Sequence, residues 1–152
     1  MLNIYNDNSI LSYQGKFESI TKENKTIKIS SEKDAYVSFS FLGTKFRFYS
    51  HTNIWRGIAK IYIDDVAIDD VDLYSENEIL DSVVYESDVL DYKEHTVKIQ
   101  VTGNKNELAK ETKIAIYRFE IDNEKPSEED TNLDLTELKA IVEELKGLIV
   151  NA

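Results

Sequence analysis

Cysteine is absent from the 152 residues. No disulfide framework, thiolate metal site or cysteine nucleophile is therefore available, and the fold must be held by its core. Proline occurs once, at Pro126, so none interrupts a strand-like segment. No apolar run approaches the ~18 residues that mark a membrane span. The N-terminus lacks a basic start followed by an apolar block, and neither a signal peptide nor membrane insertion is expected. Basic side chains are also scarce, with 18 Lys and Arg against 29 Asp and Glu, a net charge of −11. That balance argues against nucleic acid, whose binding rests largely on clustered Lys and Arg. The two histidines are His51 and His95. Nothing beside either supplies a nucleophile with an orienting acid, so no catalytic residue and no cofactor is expected.

The acidity is unevenly spread. Residues 1–121 hold 15 basic and 20 acidic side chains, whereas 122–152 hold 3 and 9, and the shift falls where strand-like alternation stops. Three parts are expected: a β domain over 1–121, an acidic linker over 122–133 and an amphipathic helix over 134–150. In the helix, Leu135, Leu138, Val142, Leu145 and Ile149 recur at spacings of three and four, and Ile141 and Leu148 widen the stripe. Asp134 and Glu137 have the spacing of a capping box, with Leu133 and Leu138 as its hydrophobic staple. Such a helix needs a cover for its apolar face: its own domain, or further copies of the chain. β-branched Val142 and Ile149 at a, with leucines at d, favour a homo-oligomer that is a dimer.

Within the β domain, period-two alternation is clearest at Ile27 and Ile29, at Val37, Phe39 and Phe41, and at Phe46 and Phe48. It leaves Lys45, Arg47 and Tyr49 on the opposite face. Strands are expected near 11–13, 16–20, 26–30, 35–41, 45–51, 58–64, 66–73, 81–86, 95–101 and 113–121, an all-β antiparallel arrangement without helical period. Gly57 to Ser75 reads as one hairpin. Ile58, Ile61 and Ile63 face inward on one strand, Val66, Ile68, Val71 and Leu73 on the return, and Asp64-Asp65 form the turn.

The order of four segments, FSFLGTKFRFYS (Phe39 to Ser50), RGIAKIYIDD with VDLYS (Arg56 to Ser75), VVYES with EHTVKIQVTGNKN (Val83 to Asn106) and IAIYRFEI (Ile114 to Ile121), resembles the galactose-binding-like β-sandwich. This is a jelly roll shared by bacterial carbohydrate-binding modules and domains of phage tail and fibre proteins. The resemblance covers about Tyr5 to Asp122, and relatives often carry glycine where Asp65 stands. It implies a non-catalytic module that binds a cell-surface or polysaccharide glycan, in a phage particle or on an extracellular bacterial surface. It also implies a trimer where the residue pattern favours a dimer, a structural role for His95, and structural calcium at no identified position. A virion module without sugar binding and an accessory domain of a polysaccharide-degrading enzyme are the alternatives.

Strand parity places the loops 31–34, 51–57, 74–80 and 102–112 at one end. That end gathers His51, Asn53, Trp55, Arg56, Tyr74, Glu76, Asn104 and Asn106 as candidate carbohydrate contacts, with Asn77 and Lys105 beside them. An aromatic ring stacks on the C–H face of a pyranose, and amide, guanidinium and carboxylate groups exchange hydrogen bonds with its hydroxyls. Two readings of Trp55 stand: it contacts ligand, or it plugs the sandwich end while Arg56 pairs with a local carboxylate. Asp64, Asp65, Asp69, Asp70 and Asp72 could suit a hard cation. Their alternation along the hairpin reads more simply as a turn with solvent-facing strand positions.

Overall fold

The computed structural model describes residues 1–127 and 139–147. Twelve strands are formed: β1 (Leu2–Tyr5), β2 (Ser12–Gln14), β3 (Glu18–Lys22), β4 (Lys25–Ser30), β5 (Tyr36–Gly43), β6 (Lys45–Thr52), β7 (Ile58–Ile63), β8 (Val66–Asp72), β9 (Ile79–Glu86), β10 (Lys93–Val101), β11 (Ile114–Ile116) and β12 (Arg118–Asp122). They build a sheet ordered β1-β12-β6-β9, a second ordered β2-β5-β10-β7-β8, and a small third ordered β11-β4-β3. Every strand pairing is antiparallel.

The two larger sheets close on one core, because each contributes the apolar half of an alternating strand. Val37, Phe39 and Phe41 of β5 and Ile61 and Ile63 of β7 meet Phe46 and Phe48 of β6 and Phe119 of β12. Phe119 is the hub: its ring centre lies 4.6 Å from that of Phe39 and 5.3 Å from that of Phe48. The small sheet exists because the last strand changes partner at Tyr117, whose amide donates to the Tyr49 carbonyl at 3.2 Å. Before that point β11 pairs with β4, and after it β12 pairs with β6. Ile27, Ile29, Ala115 and Tyr117, with Ile20 against them, form a separate small core there.

The Asp64-Asp65 turn carries positive φ at both positions, 51° and 65°, the requirement of a two-residue type I′ connection, which aspartate tolerates. Asp64 is held further by its surroundings. Its carboxylate accepts the Thr96 amide at 2.9 Å and lies 2.7 Å from Nδ1 of buried His95. His95 Nε2 meets the Asp91 carbonyl at 2.8 Å, so this histidine ties the hairpin tip to the neighbouring strand.

Several sequence expectations are corrected. The N-terminal residues 2–5 form a strand paired with β12, outside every expected segment. Val66 and Ile68 are 59% and 49% exposed. They lie on an edge strand whose register slips by a bulge opposite Ile61/Tyr62, and the bulge breaks the assumed alternation. On β7 the inner positions are Ala59, Ile61 and Ile63, with Ile58 half-buried. Toward the C-terminus, a helix runs over 139–147 with Ile141, Val142 and Leu145 about half exposed. Leu135, Leu138, Ile149, the capping box at Asp134 and Glu137, and residues 128–133 of the linker lie outside the described residues. Among the described residues no helix is long and apolar enough to cross a membrane.

Candidate functional site

The expected loops meet at one pole of the sandwich through a set of backbone hydrogen bonds. Ser75 N donates to the Asn53 carbonyl at 3.0 Å, Ile58 N to Asn104 at 2.9 Å, Gly57 N to Lys113 at 2.9 Å, and Lys110 N to Ile54 at 2.8 Å. Asp34 N donates to Val101, which brings the 31–34 loop to the same end. Gly57 makes this closure possible. A Cβ there would lie 2.6 Å from the Thr112 backbone and 2.7 Å from the Asn104 carbonyl oxygen, so no side chain fits.

Locally, Asn53 sets the path of the loop: its side-chain oxygen accepts the Trp55 amide at 2.9 Å, an Asx turn. The indole of Trp55 is thereby turned outward, 43% exposed, with Lys110 Nζ 5.1 Å from its ring centre. Trp55 is therefore not sealed into the sandwich end and has the exposure that the ligand-contact reading requires.

Beside this ring lies an open depression of about 420 Å³, walled by His51, Asn53, Trp55 and Arg56 together with Lys22, Glu78, Glu111 and Lys113, and floored by Ile20 and Ile29. Arg56 reaches it from below and is only 3% exposed. Its Nε donates to the His51 carbonyl at 2.8 Å, and Nη2 lies 3.1 Å from His51 Nδ1. Among the described residues no carboxylate comes within ion-pair distance of it, against the expectation of a local partner. Burial pulls the guanidinium down to about 10, opposed by the fields of Glu78 and Glu111.

The rim charges are paired. Lys22 Nζ donates to Glu78 Oε2 at 2.6 Å, and Lys113 Nζ lies 3.0 Å from Glu111 Oε2. The bond from Lys22 is the main cause that holds the Glu78 carboxyl below its ordinary range. His51 is a correction to the expectation of an open contact, being 2% exposed. Its Nε2 lies 3.3 Å from Glu78 Oε2, at an angle too poor for a hydrogen bond. Burial, then the field of Arg56, lowers its basicity.

The site is therefore a depression with a mainly apolar exposed lining, rimmed by the Lys22–Glu78 and Lys113–Glu111 pairs and an exposed aromatic side chain, with the guanidinium of Arg56 buried beneath it. Such a surface can exchange hydrogen bonds with hydroxyl groups while the ring covers apolar C–H.

Four expected residues lie elsewhere at the same pole. Tyr74 forms a bridge with Asn53, and Glu76 stands exposed in the adjoining turn; neither lines the depression. Asn104 lines a different hollow, with Lys33, Asp34 and Lys60. Asn106 serves its own loop, donating to Asp72 at 2.7 Å and accepting the amides of Leu108 and Ala109. The residues missed from sequence, Ile20, Lys22, Glu78, Glu111 and Lys113, arrive through the docking of the β3–β4 hairpin and through loops distant in the chain. No local motif announces them.

Four of the five hairpin aspartates, all but Asp65, are locally engaged. Asp64 binds His95 and Thr96, Asp69 accepts the Asp70 amide, Asp70 lies 3.8 Å from Lys60, and Asp72 accepts from Tyr74 and Asn106. Among the described residues no group of three or more acidic or histidine side chains is arranged to hold a metal ion.

No known protein family matches the sequence. Over 74 residues, 49% of the chain, it is 32% identical to the A type blood N-acetyl-alpha-D-galactosamine deacetylase of Flavonifractor plautii, and that stretch covers 10% of the relative. Solved structures add a likeness of architecture. The CBM36-1 domain of a multidomain xylanase from the hindgut metagenome of Trinervitermes trinervoides matches with a TM-score of 0.51 at 12% identity, over 78% of this chain and 93% of that one. A family 35 carbohydrate-binding module from an environmental isolate matches with a TM-score of 0.51 at 14% identity, over 80% and 92%. A family two carbohydrate esterase from Cellvibrio japonicus matches with a TM-score of 0.58 at 12% identity, over 78% of this chain but 32% of the esterase. At such identities the likeness is one of fold, and the fold is the galactose-binding-like β-sandwich.

Proposed function

We propose that this chain is a non-catalytic carbohydrate-binding module whose ligand, a neutral or mildly acidic glycan, sits against Trp55 and over Arg56. The observation that carries the reading is the outward indole at the rim of a depression walled by paired charges and a buried guanidinium. The carbohydrate-binding modules among the structural neighbours support sugar binding. In its finer setting, the module is an accessory domain that holds a carbohydrate-active enzyme on its substrate. That setting is favoured by the match to one tenth of an N-acetyl-alpha-D-galactosamine deacetylase and by the carbohydrate esterase of which the fold makes up a third. A phage tail or fibre setting, with multimers formed through the C-terminal helix for avidity on a repetitive surface, rests on the order of segments and on the exposed Ile141, Val142 and Leu145.

A glycan array probed with the full chain and with Trp55→Ala tests the binding reading. The expected result is a discrete set of bound glycans lost in the variant, whose melting temperature stays within about 2 °C of the parent, as for a surface substitution. A blank array for the folded parent contradicts it.

A further inference from the structure

The Trp55 depression does not end at its own wall. A second depression of about 340 Å³ lies beside it, lined by Lys16, Glu18, Ser31 and Glu32, and the two share Ile29 and Lys113 as lining residues. The strand pairings give the reason. Ile29 of β4 lies opposite Glu18 of β3, and Ser30 opposite Ile114 of β11, directly after Lys113. The small sheet thus carries its apolar floor from one hollow into the next. From the geometry we infer that the two form one groove taking an oligosaccharide of at least two sugar units, with one unit against Trp55 and the next beyond Lys113. This rests on the glycan-binding reading above and adds the length and direction of the ligand.

Three observations carry the inference. Each hollow alone lies toward the small end of the volumes that enclose a small molecule, about 300–1,000 Å³, and the two adjoin through Ile29 and Lys113. The second hollow repeats the chemistry of the first, with charges of both signs close together: Lys16 Nζ lies 3.7 Å from Glu18 Oε1, and Glu32 Oε2 accepts the Lys16 amide at 2.6 Å. Mixed donors and acceptors with charges of both signs close together suit hydroxyl groups better than a highly charged polymer. Finally, Lys113 stands at the divide with one oxygen of Glu111 as its partner. An ammonium group carries three protons, so it can donate to a unit on either side.

The Gly15 turn shapes the far end. Gly15 has φ of +88°, and a Cβ there would come within 2.7 Å of the Ala35 Cβ and 3.3 Å of Glu32 Oε2. A glycine is required for the backbone to pass this close, which fixes Glu32 against the Lys16 amide and keeps the second hollow formed before ligand arrives.

The test uses the full chain, calorimetry, and an array of immobilised hexose, N-acetylhexosamine and uronic-acid glycans of one to six units. The variants are Trp55→Ala and the double variant Lys16→Ala, Glu18→Ala, whose side chains are 78% and 62% exposed and whose loss leaves the fold intact. Expected is an affinity that rises about tenfold from one unit to three or more, as each added set of contacts contributes on that scale. The double variant removes that rise and leaves the single-unit affinity unchanged, while Trp55→Ala lowers both. Equal affinity for one unit and for longer chains, or a double variant that binds longer chains as the parent does, overturns the groove and leaves the Trp55 site standing. A blank array from the folded parent overturns both.

Discussion

Replacing Asp64 by asparagine isolates one connection on which the hairpin tip depends. Asparagine tolerates the left-handed backbone at φ 51° and can still accept the Thr96 amide, so the change falls mainly on the 2.7 Å contact with His95. A hydrogen bond to a charged group contributes about 1.5–3 kcal/mol. With the Asp64 side chain 43% exposed, solvent screening brings the expected loss to the lower end, about 1–1.5 kcal/mol. For a chain of this size that is a fall in melting temperature of about 2–6 °C at neutral pH. The pH dependence has a fixed sign. The His95 contact, then the Thr96 amide, holds the Asp64 carboxyl below its ordinary value in the folded protein. Its stabilisation is therefore fully present above about pH 4, where the unfolded carboxyl is ionised, and is lost as pH falls through the lower folded value. Calorimetric scans of parent and variant from pH 7 to pH 3 should show a constant gap that closes below about pH 4. Equal melting temperatures at pH 7, or a gap that widens on acidification, would refute the assignment of His95 as the tie between hairpin tip and neighbouring strand.

Two further outcomes follow from the packing. Gly57→Ala forces a methyl group to within 2.6 Å of the Thr112 backbone. Urea titration should show a loss of about 1–3 kcal/mol, and displacement of the 53–57 loop should abolish glycan binding as well. Light scattering tests the proposed role of the helix: the full chain is expected as a dimer or trimer at micromolar concentration, and a chain ending at Asp122 as a monomer. Two monomers would remove the avidity reading.

Much of the architecture was legible because burial writes itself with period two. Ile27, Ile29, Val37, Phe39, Phe41, Phe46 and Phe48 are all buried as their alternation requires. The sharing of one pole by the loops follows from antiparallel succession, yet of the expected contacts only His51, Asn53, Trp55 and Arg56, all from the single 51–57 loop, line the depression, while Tyr74, Glu76, Asn104 and Asn106 of the other loops do not. What escaped was whatever depends on long-range docking. Arg56 is expected as an open contact or as the partner of a local carboxylate, yet it is almost fully buried and its side-chain hydrogen bonds go to His51. Lys22 reaches Glu78 across 56 positions of sequence, and no local pattern marks either residue as part of a site. At β8 the alternation itself misled, because a bulge shifts its register and the edge leaves Val66 and Ile68 uncovered.

Trp55 is the sole tryptophan, so its fluorescence reports on the proposed site without interference. Acrylamide quenching of the free protein should be strong, as the indole is 43% exposed. Saturation with a glycan whose binding calorimetry has established should reduce that quenching severalfold, because a sugar ring stacked on the indole shields it. Full retention of quenching at saturation would place the ligand elsewhere on the sandwich and contradict the account.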